Sequence, residues 1–89
     1  MPSYELQISG TVQGVYYRAS TQARARELNL TGFVENLADG RVHAVIQGSE
    51  ENCRALIEWC RQGPPRARVS GVEVTSVAEQ SYDSFQIQR

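Results

Sequence analysis

The chain has 89 residues, 40% of them hydrophobic, and a net charge of −1 from nine basic and ten acidic side chains. That length suits one compact domain, 1–89, burying about 60 to 70% of the unfolded chain's surface, and the balanced charge excludes a single-sign field for steering onto nucleic acid or anionic lipid. All nine basic residues are arginine, which excludes Schiff-base chemistry and a phosphate-binding Walker lysine.

The opening MPSYELQISG has no basic region followed by an apolar run, and nowhere do some 18 consecutive apolar residues occur, so a soluble cytoplasmic protein is expected. Tyr4 to Val12 alternates, with Leu6 and Ile8 on one face and Glu5, Gln7 and Ser9 on the other, the period of a half-buried strand. GTVQGVYYR, Gly10 to Arg18, follows as a glycine-hinged turn. Ala19 to Leu30 is rich in good helix formers, with Thr21, Ala25 and Leu28 on one face, and Thr31-Gly32 is expected to end that helix.

Phe33 to Leu37 then reads as a short strand closed by Asp39-Gly40, a dipeptide that favours hairpin turns, with a third strand over Arg41 to Gln47. Ser49 suits an N-cap for a second helix whose Cys53, Leu56, Ile57 and Cys60 fall on one apolar stripe, and Gly63-Pro64-Pro65 stops it. Seven residues of helix separate the two cysteines by roughly 10 Å, beyond disulfide reach, and two cysteines are too few for a structural zinc site. Both are expected as reduced core residues. Val69 to Val77 supplies a fourth strand and Phe85 to Gln88 a short fifth.

The order βαββαβ predicts an α+β, ferredoxin-like sandwich: an antiparallel sheet with both helices on one face. A right-handed crossover then sets strands one and two parallel, with strand three between them, so that their C-terminal ends share one edge. The turn after strand one and Asn36 at the end of strand two converge there. Gly14 lets the backbone turn successive N–H groups inward as an anion nest, the helix start adds partial positive charge, and Arg18 offers a planar fork for phosphate oxygens. Taken alone, the turn reads more readily as an ordinary turn with a solvated arginine, because a lone glycine motif is weak; Asn36 changes that weighing. Asn36 shares the parity of Val34 and should face the helices, where its amide either caps a turn or serves the site.

GTVQGVYYR resembles the acylphosphatase signature G-x-V-Q-G-V-x-F-R, and GFVENLADGRVHAVIQG, Gly32 to Gly48, resembles the second signature of that family. GPPRARV and the closing SFQIQR are similar to further family segments, so the resemblance spans essentially the whole chain. It implies hydrolysis of the carboxyl–phosphate bond of acyl phosphates without a metal or other cofactor. By position, Arg18 binds the phosphate, loop amides of Gly14, Val15, Tyr16, Tyr17 and Arg18 cradle it, and Asn36 orients the attacking water. The implied partner is a small acyl phosphate, with no nucleic acid or membrane, and a monomer is expected. Tyr17 stands where phenylalanine is common in the family, Glu35 where a basic or neutral residue is usual, and Leu37 where threonine often follows the asparagine.

Three competing signals lose ground on physical argument. CRQGPPR, Cys60 to Arg66, fits the C-x5-R pattern of cysteine-dependent phosphatases, but Pro64 and Pro65 have no N–H to offer an anion and Cys60 belongs to the helix stripe. His43 is a lone strand histidine facing away from Val42 and Ala44 and is given no role, and Trp59 is read as packing. The same element order serves RNA-recognition modules, but TGFVEN lacks their basic-aromatic pattern. The stronger alternative is an anion-binding regulatory domain that has the cradle without turnover. Tyr16 and Tyr17 either shape the cradle or, on the simpler reading, bury a ring beside the loop.

Overall fold

A computed structural model describes residues 1–88; Arg89, the last residue of the SFQIQR segment, lies outside the described residues. Strands β1 (Ser3–Thr11), β2 (Thr31–Asn36), β3 (Val42–Gln47), β4 (Arg68–Ser76) and β5 (Phe85–Gln88) form one sheet in the order β4-β1-β3-β2-β5. Helices α1 (Tyr17–Glu27) and α2 (Glu50–Gln62) cover one face, α1 over β2 and β5 and α2 over β1 and β4. β3 pairs antiparallel with both β1 and β2, and β1 with β4. β5 departs from the expected antiparallel sheet, because it lies parallel to β2 with Val34 opposite Ile87.

That parallel strand follows from the path of the chain after β4. The segment 77–84 crosses the face opposite the helices at the end remote from the glycine loop. The Val77 N–H donates to the Ser3 carbonyl at 3.0 Å, and the Gln47 amide takes both backbone groups of Gln80, at 2.8 and 3.0 Å. Tyr82 then packs against Phe33, ring centroids 6.3 Å apart, and Gly32 N–H donates to the Ser84 carbonyl. Having crossed beneath β1, β3 and β2, the chain enters the far edge in the direction of β2.

Alternation in β1, β2 and β3 sends Leu6, Ile8, Val34, Val42, Ala44 and Ile46 toward the helices, all fully buried. α2 meets them with the stripe read from the sequence, Cys53, Leu56, Ile57 and Cys60, and Ser49 caps it by accepting from the Asn52 N–H at 3.2 Å. Both cysteines are free thiols in the core. Burial of each larger apolar side chain contributes about 1.5–3 kcal/mol, so this stripe fixes α2 more firmly than intrinsic propensity could.

α1 is shifted from its expected Ala19 to Leu30. It starts at Tyr17 because Tyr17, Thr21 and Ala25 form its buried face, and the Thr21 hydroxyl, otherwise costly there, donates to the Tyr17 carbonyl at 2.7 Å. It ends before Thr31-Gly32 because Asn29 takes a left-handed φ of 56° and the Leu30 N–H returns to the Ala25 carbonyl at 2.9 Å. Thr31 and Gly32 belong to β2. Among the described residues no helix is long and apolar enough to cross a membrane.

Candidate active site

The turn from β1 into α1 is built around two residues that leave the ordinary backbone regions. β1 exits through an irregularity between Ser9 and Gly10, where Gly10 has φ 123° and a Cβ would lie 2.1 Å from the Arg68 carbonyl oxygen, so only glycine fits. Gly14 and Tyr16 then take left-handed φ values of 75° and 64°, one on either side of Val15. Alternation of this kind turns consecutive N–H groups to one side.

α1 opens without the usual devices. Tyr16 occupies the N-cap position with no side-chain cap, and the first turn carries no acidic residue. The first amide of this region to find a backbone partner is that of Ser20, on the Tyr16 carbonyl at 3.0 Å; among the described residues none from Gly14 to Ala19 is so engaged. A helix start that leaves its amides unpaired and unshielded is an anion site in waiting.

These amides border a cavity of about 330 Å³ lined by Val12, Gly14, Tyr16, Tyr17, Arg18, Ala19, Asn36 and Ile87. Arg18 and Asn36, eighteen residues apart in sequence, therefore meet in one cavity, as the parallel placement of β1 and β2 requires. Arg18 is half-buried, and its guanidinium makes no hydrogen bond or ion pair among the described residues. Asn36 faces the helix side with Val34, and its Oδ1 is buried without a hydrogen-bond partner among the described residues. A turn-capping amide would have its oxygen satisfied; an orphaned buried acceptor instead marks a place where a donor is expected.

Gln13, which the sequence reading left without a role, ties the two halves of the site together. Its Nε2 donates both protons across the gap, to the Leu37 carbonyl at 2.7 Å and the Arg41 carbonyl at 2.9 Å. The Leu37 N–H meets the Arg41 carbonyl at 2.8 Å, so the hairpin that follows Asn36 is closed on itself and anchored to the loop. At Leu37, the family's usual threonine is replaced by a residue whose backbone carries this link. The signal in the sequence was its place in the G-x-V-Q-G-V-x-F-R signature, whose glutamine it matches, in a segment without strand or helix period.

The two tyrosines part company. Tyr17 is 1% exposed, its hydroxyl donates to the Cys60 carbonyl at 2.7 Å and its ring packs on Trp59 with centroids 5.8 Å apart. Burial, with the Cys60 group beside it, pushes the Tyr17 phenol well above its ordinary pKa, so it stays neutral. The hydroxyl that distinguishes it from phenylalanine is thus satisfied inside the core. Tyr16 is not buried as expected: it is 75% exposed, because the left-handed turn at this residue swings its side chain away from the face that Tyr17 occupies.

The residues set aside keep their places. Cys60 is fully buried, and burial pushes its thiol up to about 12, the opposite of an activated nucleophile. His43 faces away from the helices, with Nδ1 2.8 Å from Glu35 Oε2 and Nε2 3.1 Å from Glu5 Oε2. That position accounts for Glu35, which points to the histidine on the open face and not into the cavity. No group of three or more His, Cys, Asp or Glu side chains is placed to hold a metal ion among the described residues.

Comparison with known proteins agrees with this geometry. The acylphosphatase family model matches residues 4–87. An acylphosphatase of Haloquadratum walsbyi is 52% identical over 82 residues, covering 92% of this chain and 88% of that protein. The structure of an acylphosphatase from Coxiella burnetii superposes with a TM-score of 0.95 at 38% identity, covering 98% of this chain and 92% of that one. The crystal structure of acylphosphatase from Bacillus subtilis gives a TM-score of 0.97 at 31% identity, with both chains covered completely. Fold, cavity and likeness across nearly the whole length converge: the chain belongs to the acylphosphatase family, enzymes that hydrolyse acyl phosphates.

Proposed function

We propose that this protein, acting as one monomeric domain in the cytoplasm, hydrolyses acyl phosphates by direct attack of water on phosphorus, without a metal or a covalent enzyme intermediate. The unpaired amides from Gly14 to Arg18 hold the phosphoryl oxygens, and the Arg18 fork neutralises the charge that gathers on them as the bond order to phosphorus changes. Asn36 Oδ1 accepts a hydrogen bond from the attacking water and fixes its line of approach. The water oxygen bonds to phosphorus and the bond from phosphorus to the acyl oxygen breaks. The electron pair leaves on the carboxylate, and both water protons end on the phosphate product.

The observation that carries this reading is the buried Asn36 Oδ1, without a partner among the described residues, in the cavity that also holds Arg18, whose guanidinium has none among them either. The cation and the amides suffice for the phosphoryl oxygens, and the acceptor beside them offers a place for a proton of the attacking water. An amide cannot serve as a strong base, which fits a reaction whose leaving group needs no protonation. A departing carboxylate has a pKa of roughly 4, whereas an alkoxide, nearer ~15, would ordinarily require a general acid or a metal.

Phosphate release with a chelator present tests this. Benzoyl phosphate should be hydrolysed rapidly, glycerol phosphate hardly at all, and Arg18→Ala should abolish the first activity. Comparable rates on the two substrates, or loss of acyl phosphate hydrolysis on adding chelator, would overturn the mechanism. Phosphate binding without any turnover would favour a regulatory anion sensor instead.

A further inference from the structure

The amides and Arg18 account for one end of a phosphate ester, but the cavity is larger than a phosphoryl group. Its 330 Å³ lies at the lower end of the range of about 300–1,000 Å³ found for pockets holding whole small-molecule ligands. Beyond the residues assigned to phosphate and water, the lining includes apolar Val12, Ala19 and Ile87, with Tyr16 beside them.

Tyr16 is the anomaly among them. Its ring is 75% exposed, while every other tyrosine is at least partly buried. It takes part in none of the aromatic pairs of the structure, and its hydroxyl has no hydrogen-bond partner among the described residues. Its φ of 64° is one that bulky side chains adopt rarely and asparagine or glycine more readily. The fold therefore gains nothing visible from an aromatic side chain at this position. What Tyr16 does have is a place in the lining of the cavity, beside amides assigned to phosphate.

We infer that Tyr16, together with Ile87, forms a subsite for the acyl group, and that it makes the enzyme prefer acyl phosphates with aromatic or large apolar acyl groups over those with small ones. The inference rests on the reading of the cavity as an acyl phosphate site. In an acyl phosphate only one bridging oxygen separates phosphorus from the carbonyl carbon, so a substrate held by the amides must project its acyl substituent within a few ångströms of the loop. An exposed ring there offers a face to a flat acyl group and little to a methyl.

The test compares kcat/KM for benzoyl phosphate and acetyl phosphate in the wild type, Tyr16→Asn and Tyr16→Phe. Asparagine tolerates the left-handed backbone, so the loop keeps its course without the ring, and circular dichroism confirms the fold. The ratio of benzoyl to acetyl kcat/KM should fall about three- to tenfold in Tyr16→Asn, the range expected for loss of one aromatic contact, and should be retained in Tyr16→Phe. An unchanged ratio in Tyr16→Asn, or an equal fall in Tyr16→Phe, overturns the subsite while leaving acyl phosphate hydrolysis standing. Failure of the wild type to hydrolyse either substrate overturns the underlying reading, and the subsite with it.

Discussion

At the scale of single residues, the proposed mechanism divides charge recognition from water placement. Arg18 offers a rigid planar fork, and its half-buried position leaves it no competing partner among the described residues. Arg18→Lys keeps the charge but supplies a point in place of the fork; steady-state hydrolysis of benzoyl phosphate should fall about 10³-fold. Near-normal turnover would remove Arg18 from the mechanism. Asn36 should behave differently. Its Oδ1 bonds to nothing among the described residues, so Asn36→Ala forfeits no hydrogen bond seen through that atom and the fold should survive. kcat is expected to drop about 10²-fold or more, the scale of effect when a reacting group is misplaced by an ångström, while competitive inhibition by phosphate stays close to wild type. A collapse of phosphate inhibition alongside turnover would make Asn36 a binding residue.

Among the elements, the loop after β1 and the hairpin after β2 matter as a pair, because neither alone sets the distance between anion and water. Gln13 spans them with two hydrogen bonds. Gln13→Ala should cost about 1–3 kcal/mol in urea unfolding, the ordinary value of two such bonds, and also lower kcat with little change in phosphate inhibition. Gln13→Glu should be worse, since a carboxylate would face two carbonyl oxygens. A loss of stability with unaltered kcat would show the bridge to be structural only. How much of this was legible in the sequence depends on what each feature needed. α2 was readable because its buried residues are all apolar and its cap is local. α1 was displaced because its buried face runs through Thr21 and begins at Tyr17, inside what looked like loop. Arg18 and Asn36 lie in long signatures with parity and topology to support them. The role of Gln13 depends on three-dimensional register, and the sequence offers no way to tell which of two adjacent tyrosines is buried; the left-handed turn at Tyr16 decides that.

For the whole molecule, the core sets the response to alkaline pH. Burial holds the Cys53 thiol up at about 11 and the Cys60 thiol up at about 12, and raises the Tyr17 phenol as well. An acid whose folded pKa is raised binds its proton more tightly in the native state, so its contribution is fully present below the unfolded thiol pKa of about 8.5 and is lost as pH rises toward the folded values. The slope is at most about 1.4 kcal/mol per pH unit for each thiol. Urea midpoints should therefore fall between about pH 9 and about pH 10.5, and fall less steeply in Cys60→Ala. Equal slopes in the two proteins would mean that Cys60 ionises as readily in the core as in the unfolded chain.

The strand order has a consequence for how the molecule comes into being. β1 and β2 follow one another along the chain with only α1 between them, yet they never bond to each other; β3 must slide in between. β4 completes the flank of β1, and β5, beyond the crossing segment, completes that of β2. The two halves of the sequence are thus interleaved in the sheet, and neither can assemble a stable half-sheet in advance of the other. Because the loop assigned to phosphate hangs from β1 and Asn36 from β2, the proposed site cannot exist on a partly assembled intermediate. Folding and the capacity for turnover should arise together as one cooperative event, slowed by the loop closures that such non-local pairing demands. Stopped-flow refolding should then show recovery of benzoyl phosphate hydrolysis at the rate of far-ultraviolet ellipticity, and an active species appearing ahead of the full sheet would contradict the interleaving.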